Sequence, residues 1–182
     1  MSSVPMVEVA WYGSAPPSSP YDGQEWIYPV DVANSVVWRL RYDLANTRWV
    51  FIGGAPLGQA VWGGVTSNPT VANTPWPLAD WPQLTIPRQG VYLIDASYNV
   101  GDQSGTQPSV SQYLMVFFNG TSAGYQCSIS MFTPWYQGML RLPLLLNIAA
   151  GSVLALRAQT NVAGKNLMAD CRQLFATPRY IT

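Results

Sequence analysis

The chain has 182 residues, of which 9 are Lys or Arg, 9 are Asp or Glu and none is His, so the formal net charge is zero. Without histidine there can be no Ser-His-Asp or Cys-His nucleophilic pair, no histidine acid–base catalyst and no histidine metal ligand. A zero net charge disfavours nucleic-acid binding, which needs a cationic surface. The hydrophobic content of 48% also excludes a disordered composition.

The first 55 residues predict a small β-meander. An aromatic run at 26–28 and two alternating runs at 36–42 and 48–52 are separated by segments that each contain Asp and Asn, which favour turns. So little sheet buries too little surface to be stable by itself, and we expect it to pack on copies of itself or on a larger assembly. The candidate attachment residues are the aromatic side chains of this module: Trp26, Trp38, Tyr42, Trp49 and Phe51.

Residues 56–82 predict an extended connector. They include five prolines and three glycines, a composition that excludes a helix and a central strand. A flexible linker would be rich in Ser and Gly and would lack tryptophan. We therefore expect Trp62, Trp76 and Trp81 to be buried against neighbouring chains or the next domain.

Residues 83–182 predict a β-sandwich of the jelly-roll type. Seven alternating runs lie at 83–86, 91–100, 112–118, 125–131, 139–146, 153–160 and 167–176, with turn residues such as Asn119-Gly120 between them. Many short strands at even spacing are typical of sandwiches and jelly rolls. The longest apolar run, between Arg141 and Arg157, is shorter than the ~20 residues of a membrane span and is interpreted as two strands and a turn. No transmembrane segment and no secretory signal is expected.

The run 112–118 is apolar on both of its faces. A strand with two apolar faces is buried on both sides. In a monomeric sandwich one face of each sheet is exposed to solvent, so a monomer would not bury both faces of this strand. We therefore predict burial in an oligomer, with coverage by a loop or by the Trp-rich connector as the alternative. The candidate interface residues are Tyr113, Met115 and Phe117 on one face, and Leu114, Val116 and Phe118 on the other.

The N-terminal module resembles a short unit found in tail and other virion proteins of bacteriophages and prophages. Its pattern is D-G-Q-E, an aromatic strand, D-x-A-N-G-V-V-W, an R-Y strand and W-x-F-x-G-G-x-P-L, and Ser35 stands where the pattern has glycine. The resemblance implies a virion protein assembled in a bacterial host. The matching residues are Asp22, Gly23, Gln24, Glu25, Asp31, Ala33, Asn34, Val36, Val37, Trp38, Arg41, Tyr42, Trp49, Phe51, Gly53, Gly54, Pro56 and Leu57.

The last hundred residues resemble the trimeric jelly-roll heads of the tumour-necrosis-factor and complement-C1q type, which phages also use at fibre tips. The similarity rests on the entry at Leu84-Thr85-Ile86-Pro87, the strand and turn ending at Asn119-Gly120-Thr121, and a late Gly151-Ser152-Val153-Leu154 run. In that family three sandwiches pack side by side about a threefold axis. The resemblance implies a homotrimer.

Catalytic and metal-binding candidates are few, and no cofactor is expected. Glycoside hydrolysis needs two carboxylates that flank a bond, whereas the head has only Asp95, Asp102 and Asp170. We interpret Asp102 as a loop residue and the other two as paired or solvated surface groups. Cys127 and Cys171 fit two buried thiols, with a disulfide as the alternative. We therefore expect a protein that is not an enzyme.

Ligand contact is the remaining possibility for the head. Trp135 and Tyr136 lie between two predicted strands, and Asp102 and Gln103 begin a long polar segment. Aromatic rings stack on sugars while polar groups orient them. The alternative is that Trp135 packs into the sandwich or a subunit interface.

These observations predict an all-β protein with an N-terminal meander (1–55), an extended Pro/Trp-rich connector (56–82) and a jelly-roll head (83–182). The predicted function is a non-enzymatic phage virion protein, a homotrimeric tail fibre or spike whose partners are itself, other virion proteins and a host-surface glycan or protein. A capsid decoration protein and a carbohydrate-binding module are the alternatives. Nucleic acid and membranes are not expected partners.

Overall fold

The computed structural model describes residues 10–62, 65–67, 81–102, 110–131, 137–161 and 167–182. Within these residues the fold is all-β, as the alternating sequence pattern predicted. The strands are β1 (Trp11–Tyr12), β2 (Glu25–Asp31), β3 (Val36–Asp43), β4 (Arg48–Gly54), β5 (Leu57–Val61), β6 (Val65–Ser67), β7 (Gln83–Thr85), β8 (Gly90–Asp102), β9 (Val110–Phe118), β10 (Thr121–Met131), β11 (Gln137–Ile148), β12 (Val153–Thr160) and β13 (Leu167–Ile181).

The strands form two sheets that make a jelly-roll sandwich. Sheet A has the order β1-β2-β3-β4-β13-β8-β11, and β5 and β6 also pair with β13. Sheet B has the order β10-β9-β12-β7. From β7 onward the chain crosses repeatedly between the two sheets, so most consecutive strands lie in opposite layers, whereas the hairpin strands β9 and β10 are both in sheet B.

The core lies between the two sheets and follows the period-two pattern of the strands. On β8 the predicted inward face is fully buried, from Tyr92 through Ile94 to Val100. Leu154 and Leu156 of β12 meet it from sheet B with no exposed surface. Because alternate side chains of a strand point to opposite faces, this alternation was readable before the fold was known.

Two predicted turns are present with the geometry that their residues favour. Asn119 and Gly120 join β9 to β10 with φ of 48° and 80°, the left-handed pair that a two-residue hairpin requires. The second turn connects β11 to β12 through Gly151, whose φ is 79°.

The N-terminal meander is continuous with the sandwich. Strand β4 pairs with β13, where Val50 lies opposite Tyr180 and Trp49 opposite Ile181. The meander was expected to need a partner, and the partner that the structure provides is the jelly roll of the same chain. The division at residues 55 and 82 stays a prediction about domain boundaries.

The connector contains two strands, β5 and β6, each paired with β13. Trp81 is buried as predicted. Trp62 is 72% exposed in the single chain, so it is not buried against the jelly roll, and its burial against a neighbouring chain stays a prediction. Strand β5 ends at Val61, one residue before this indole. Trp76 lies outside the described residues.

Helical structure in the described ranges is limited to one short 3-10 turn, Leu44–Asn46. Asp43 precedes it and its carboxylate accepts a hydrogen bond from the Asn46 backbone N–H at 3.2 Å. None of the helical structure described is long and apolar enough to cross a membrane.

Candidate functional site

The aromatic side chains proposed for virion attachment lie inside the chain. Trp26, Trp38, Tyr42 and Trp49 are buried, and Phe51 is half-buried against the same cluster. Their rings stack and cross each other along the inner face of the meander, with Trp26 and Trp49 5.3 Å apart between centroids. These five rings are therefore covered within the chain and do not form an exposed attachment surface.

The partner that covers this aromatic face is the jelly roll. The Trp38 ring lies 6.1 Å from that of Tyr92, at the start of β8. The guanidinium of Arg88 lies 5.6 Å from the rings of both Trp26 and Tyr28 and donates a 2.6 Å hydrogen bond to the carbonyl of Ser14. Cation–π contacts of this kind add to the hydrophobic packing, so one interface joins the N-terminal arm, the meander and the sandwich.

Polar residues of the phage-like pattern have structural roles in this module. The Asp22 carboxylate accepts the Leu44 backbone N–H at 3.1 Å. Asp31 accepts hydrogen bonds from the backbone and side chain of Asn34, which lowers the pKa of its carboxyl. The Trp38 indole N–H donates to the Ala55 carbonyl at 2.9 Å. The pattern thus specifies turns and closure of the meander.

The second glycine of the Gly53-Gly54 pair in that pattern has a backbone that only glycine adopts easily. Its φ is 125°, and a Cβ at this position would overlap the carbonyl of Val37 on the neighbouring strand. Glycine is therefore required by both the backbone angle and the close approach.

The outward face of the meander carries an exposed ionic cluster. The two carboxylate oxygens of Glu25 accept hydrogen bonds from Arg39 and Arg41, each at 2.9 Å. These bonds hold the pKa of Glu25 below its ordinary value, and the bond from Arg41 has the larger effect. Beside the cluster is a shallow pocket of about 360 Å³ whose lining includes Arg41, Tyr42 and the partly exposed Ile52.

The candidate trimer-interface residues on β9 divide between the two faces of sheet B. Leu114 and Val116 have no exposed surface and Phe118 packs against the same core, so these three side chains belong to the sandwich interior. Met115 is also buried, whereas Tyr113 and Phe117 are half-buried.

A more exposed apolar surface lies on β11, an edge strand of sheet A in the part of the chain that the structure describes. Met139 and Leu145 are each 63% exposed, and Pro143 between them is exposed on the same face. Arg141 belongs to this face too and binds both carboxylate oxygens of Asp95 on β8, at 2.9 and 2.6 Å. Sequence reasoning placed the interface on β9 because it saw two apolar faces there. The signal on β11 was the alternation of Met139, Pro143 and Leu145 with inward leucines.

The proposed ligand-contact residues Trp135, Tyr136 and Gln103 lie outside the described residues. The fourth, Asp102, was predicted in a loop but its backbone ends strand β8, opposite Leu167 of β13. The strand extends further than expected because β13 continues beside it.

Asp95 was interpreted as a paired or solvated surface group, and the structure pairs it with Arg141. Cys127 and Cys171 are both free thiols and half-buried, and burial raises the pKa of each. Within the described segments, no three Cys, Asp or Glu side chains are grouped so that they could hold a metal ion.

A cleft of about 590 Å³ opens at one side of the sandwich. It lies between β5 of sheet A, β7 of sheet B and the turn that joins β2 to β3. Its walls are mainly polar, and sequence reasoning did not find it because its three segments are far apart in the chain. The lining residues are Val30, Asp31, Asn34, Leu57, Gly58, Gln59, Ala60, Gln83, Leu84, Thr85 and Pro87.

Comparison with known proteins gives likenesses of fold only. No protein-family model matches the sequence, and no curated protein matches it. Among solved structures, the Eiger TNF of S. frugiperda has a TM-score of 0.39 and 14% identity, over 66% of this chain and 90% of that one. A family 35 carbohydrate-binding module from Clostridium thermocellum has a TM-score of 0.34 and 13% identity, over 68% of this chain and 98% of that one. The arabinose-bound α-L-arabinofuranosidase MgGH51 has a TM-score of 0.38 and 16% identity, over 67% of this chain and 23% of its own.

Proposed function

We propose that the chain is a non-enzymatic structural protein of a bacteriophage virion, a homotrimeric fibre or spike. The phage-like pattern of residues 17–57 supports the virion assignment, and the exposed face of β11 supports the oligomer. That face is the single observation on which the proposal mainly depends.

The outward face of β11 has the character of a subunit contact. Met139 and Leu145 are mostly exposed, on a strand that pairs on one side only, with β8, in the described part of the fold. Exposed apolar side chains grouped on one face of a strand commonly mark an interaction site. Burial of this face by neighbouring copies would remove both apolar side chains from water.

The charge on this face suits association with identical copies. Arg141 and Asp95 neutralise each other within one chain through two hydrogen bonds. The face therefore brings no net charge into a symmetric contact, in which like charges from different copies would otherwise repel.

The meander would contact other virion proteins through its outward face. Its aromatic face is already occupied by the jelly roll, whereas Ile52, Arg39 and Arg41 are exposed. Two arginines share one carboxylate, that of Glu25, so this cluster has an excess positive charge. An acidic surface on the neighbouring virion protein would complement it.

The subunit contact is tested by light scattering after size exclusion. Leu145→Asp adds a charge to the exposed β11 face and should convert the trimer to a monomer. Val32→Asp is the matched control, because Val32 is 77% exposed in the β2–β3 turn, and it should stay trimeric. If Tyr113→Gln dissociates the protein while Leu145→Asp does not, the contact is on β9 and its placement on β11 is wrong.

The virion assignment is tested by immunogold microscopy of phage particles produced from the genome that encodes the chain. Label at the tail or fibre tip is the expected result. Label distributed over the capsid would favour a decoration protein, and absence of label from particles that contain the other virion proteins would refute the assignment.

A further inference from the structure

The cleft between β5 and β7 has two strand edges as its long sides. In the described residues β5 pairs only with β13, and β7 pairs only with β12. The two strands lie in different sheets and contact each other across the open side of the sandwich. Free edges offer backbone N–H and C=O groups to another chain.

The hydrogen bonds of β7 show which of its backbone groups face the cleft. The Ile86 N–H donates to the Ser152 carbonyl, and the Pro82 carbonyl accepts from the Leu156 N–H, both at 2.9 Å. In an antiparallel ladder, alternate residues direct their backbone groups to opposite sides. Because residues 82 and 86 face β12, the N–H and C=O groups of Gln83 and Thr85 are directed away from β12, toward the cleft.

The chemistry of the cleft favours an extended peptide over a sugar. The lining combines polar side chains with the half-buried Leu57 and the buried Leu84, and an extended peptide offers both backbone groups and alternate side chains to such a site. No aromatic ring is present among the described lining residues, and stacking on such a ring is the usual way that proteins bind sugars.

One formal charge belongs to the described lining, the carboxylate of Asp31. Its hydrogen bonds from Asn34 lower the pKa of this carboxyl, so it is ionised at neutral pH. An arriving segment that carries a Lys or Arg side chain at that end of the cleft would be complementary in charge.

We propose that this cleft binds an extended basic segment of a partner protein, which adds a strand to the free edge of β7. At about 3.3 Å per residue, the lengths of β7 and β5 accommodate about three to five residues. The backbone groups of Gln83 and Thr85 provide the hydrogen bonds, and Asp31 selects a basic side chain. The proposal is independent of the trimer contact, which lies on β11 at the opposite edge of sheet A.

The test uses a defined peptide, acetyl-Val-Thr-Lys-Thr-Val-amide, and the intact protein. Binding of the peptide should slow hydrogen exchange of the Gln83 and Thr85 backbone amides, measured by NMR. The affinity for the peptide should fall as salt is added. A peptide with Asp in place of Lys should bind at least about tenfold more weakly. Slow exchange of these two amides before peptide is added would refute the proposal, since the edge would then be covered by this chain or by a second copy.

The variant Thr85→Pro removes one outward N–H without removing a bond to β12, and proline is tolerated at such edge positions. Thr85→Val is its control, since it keeps the N–H and changes the side chain. We expect binding to fall by about tenfold in the proline variant, as for the loss of about one hydrogen bond, and little change in the control. Gln83→Pro provides a second test if Thr85→Pro unfolds. Equal binding by the proline and valine variants, or no binding by the unsubstituted protein, would contradict strand addition.

Discussion

Trp38 joins the meander to the sandwich, and its replacement measures how strongly the two depend on each other. The indole has no exposed surface, contacts the ring of Tyr92 on β8 and donates to the Ala55 carbonyl. Trp38→Ala should lower the free energy of unfolding by about 3–5 kcal/mol for the cavity, and by about 1 kcal/mol more for the carbonyl left without its donor. Trp38→Phe keeps most ring contacts and should lower it by about 1.5–3 kcal/mol.

Urea denaturation followed by near-UV and far-UV circular dichroism tests this prediction. Because one core includes both parts, the two signals should change together in a single transition that moves to lower urea in both variants. Arg39→Gln, an exposed position on the same strand, is the control and should change stability by less than about 1 kcal/mol. The reasoning is refuted if Trp38→Ala lowers stability by less than about 1 kcal/mol, or unfolds the meander while the sandwich keeps its original midpoint.

Three further predictions concern the meander. Ser35 has a φ of 57°, and Ser35→Gly should raise the free energy of unfolding by about 0.5–1 kcal/mol, since a left-handed backbone costs an L-residue about 1–2 kcal/mol and glycine loses part of that in entropy; a urea titration that shows destabilisation would contradict this. Gly54→Ala should lower stability by about 2 kcal/mol or more because of its φ and its overlap with Val37, and a loss below about 0.5 kcal/mol would be inconsistent with the backbone described. Glu25 has a folded-state pKa below its ordinary value of 4.5 because Arg41 and Arg39 donate hydrogen bonds to its carboxylate. Its stabilising effect is therefore present above pH 4.5 and is lost as pH falls through the folded-state pKa. The melting temperature of Glu25→Gln should therefore fall less steeply with decreasing pH than that of the unsubstituted protein. An unchanged slope would argue against the ion pairs.

Local features of the fold were predictable because local chemistry determines them. The inward face of β8, from Tyr92 to Val100, followed from strict alternation, and the β9–β10 hairpin followed from Asn119-Gly120. The last alternating run was predicted to end at Ala176, whereas β13 continues to Ile181. A register shift at Pro178 lets the strand continue to Ile181, since a proline at an irregularity need not donate to the ladder.

The binding surfaces were harder to predict because they depend on which distant segments meet. The need of the aromatic meander for a partner was apparent from its size, but nothing local in Val50 or Tyr180 indicates that β4 and β13 pair. The same is true of the cleft, where Asp31, Gln59 and Gln83 come from three separate strands or turns. For β9, the pattern correctly indicated an apolar strand, while Leu114 and Val116 proved to be covered within the chain.

Native mass spectrometry of the intact chain at micromolar concentration tests the central claim most directly. The account predicts a species of three times the 20.0 kDa chain mass, which Leu145→Asp converts to single chains. A single-chain mass for the unsubstituted protein would contradict the claim that the exposed face of β11 is a subunit contact.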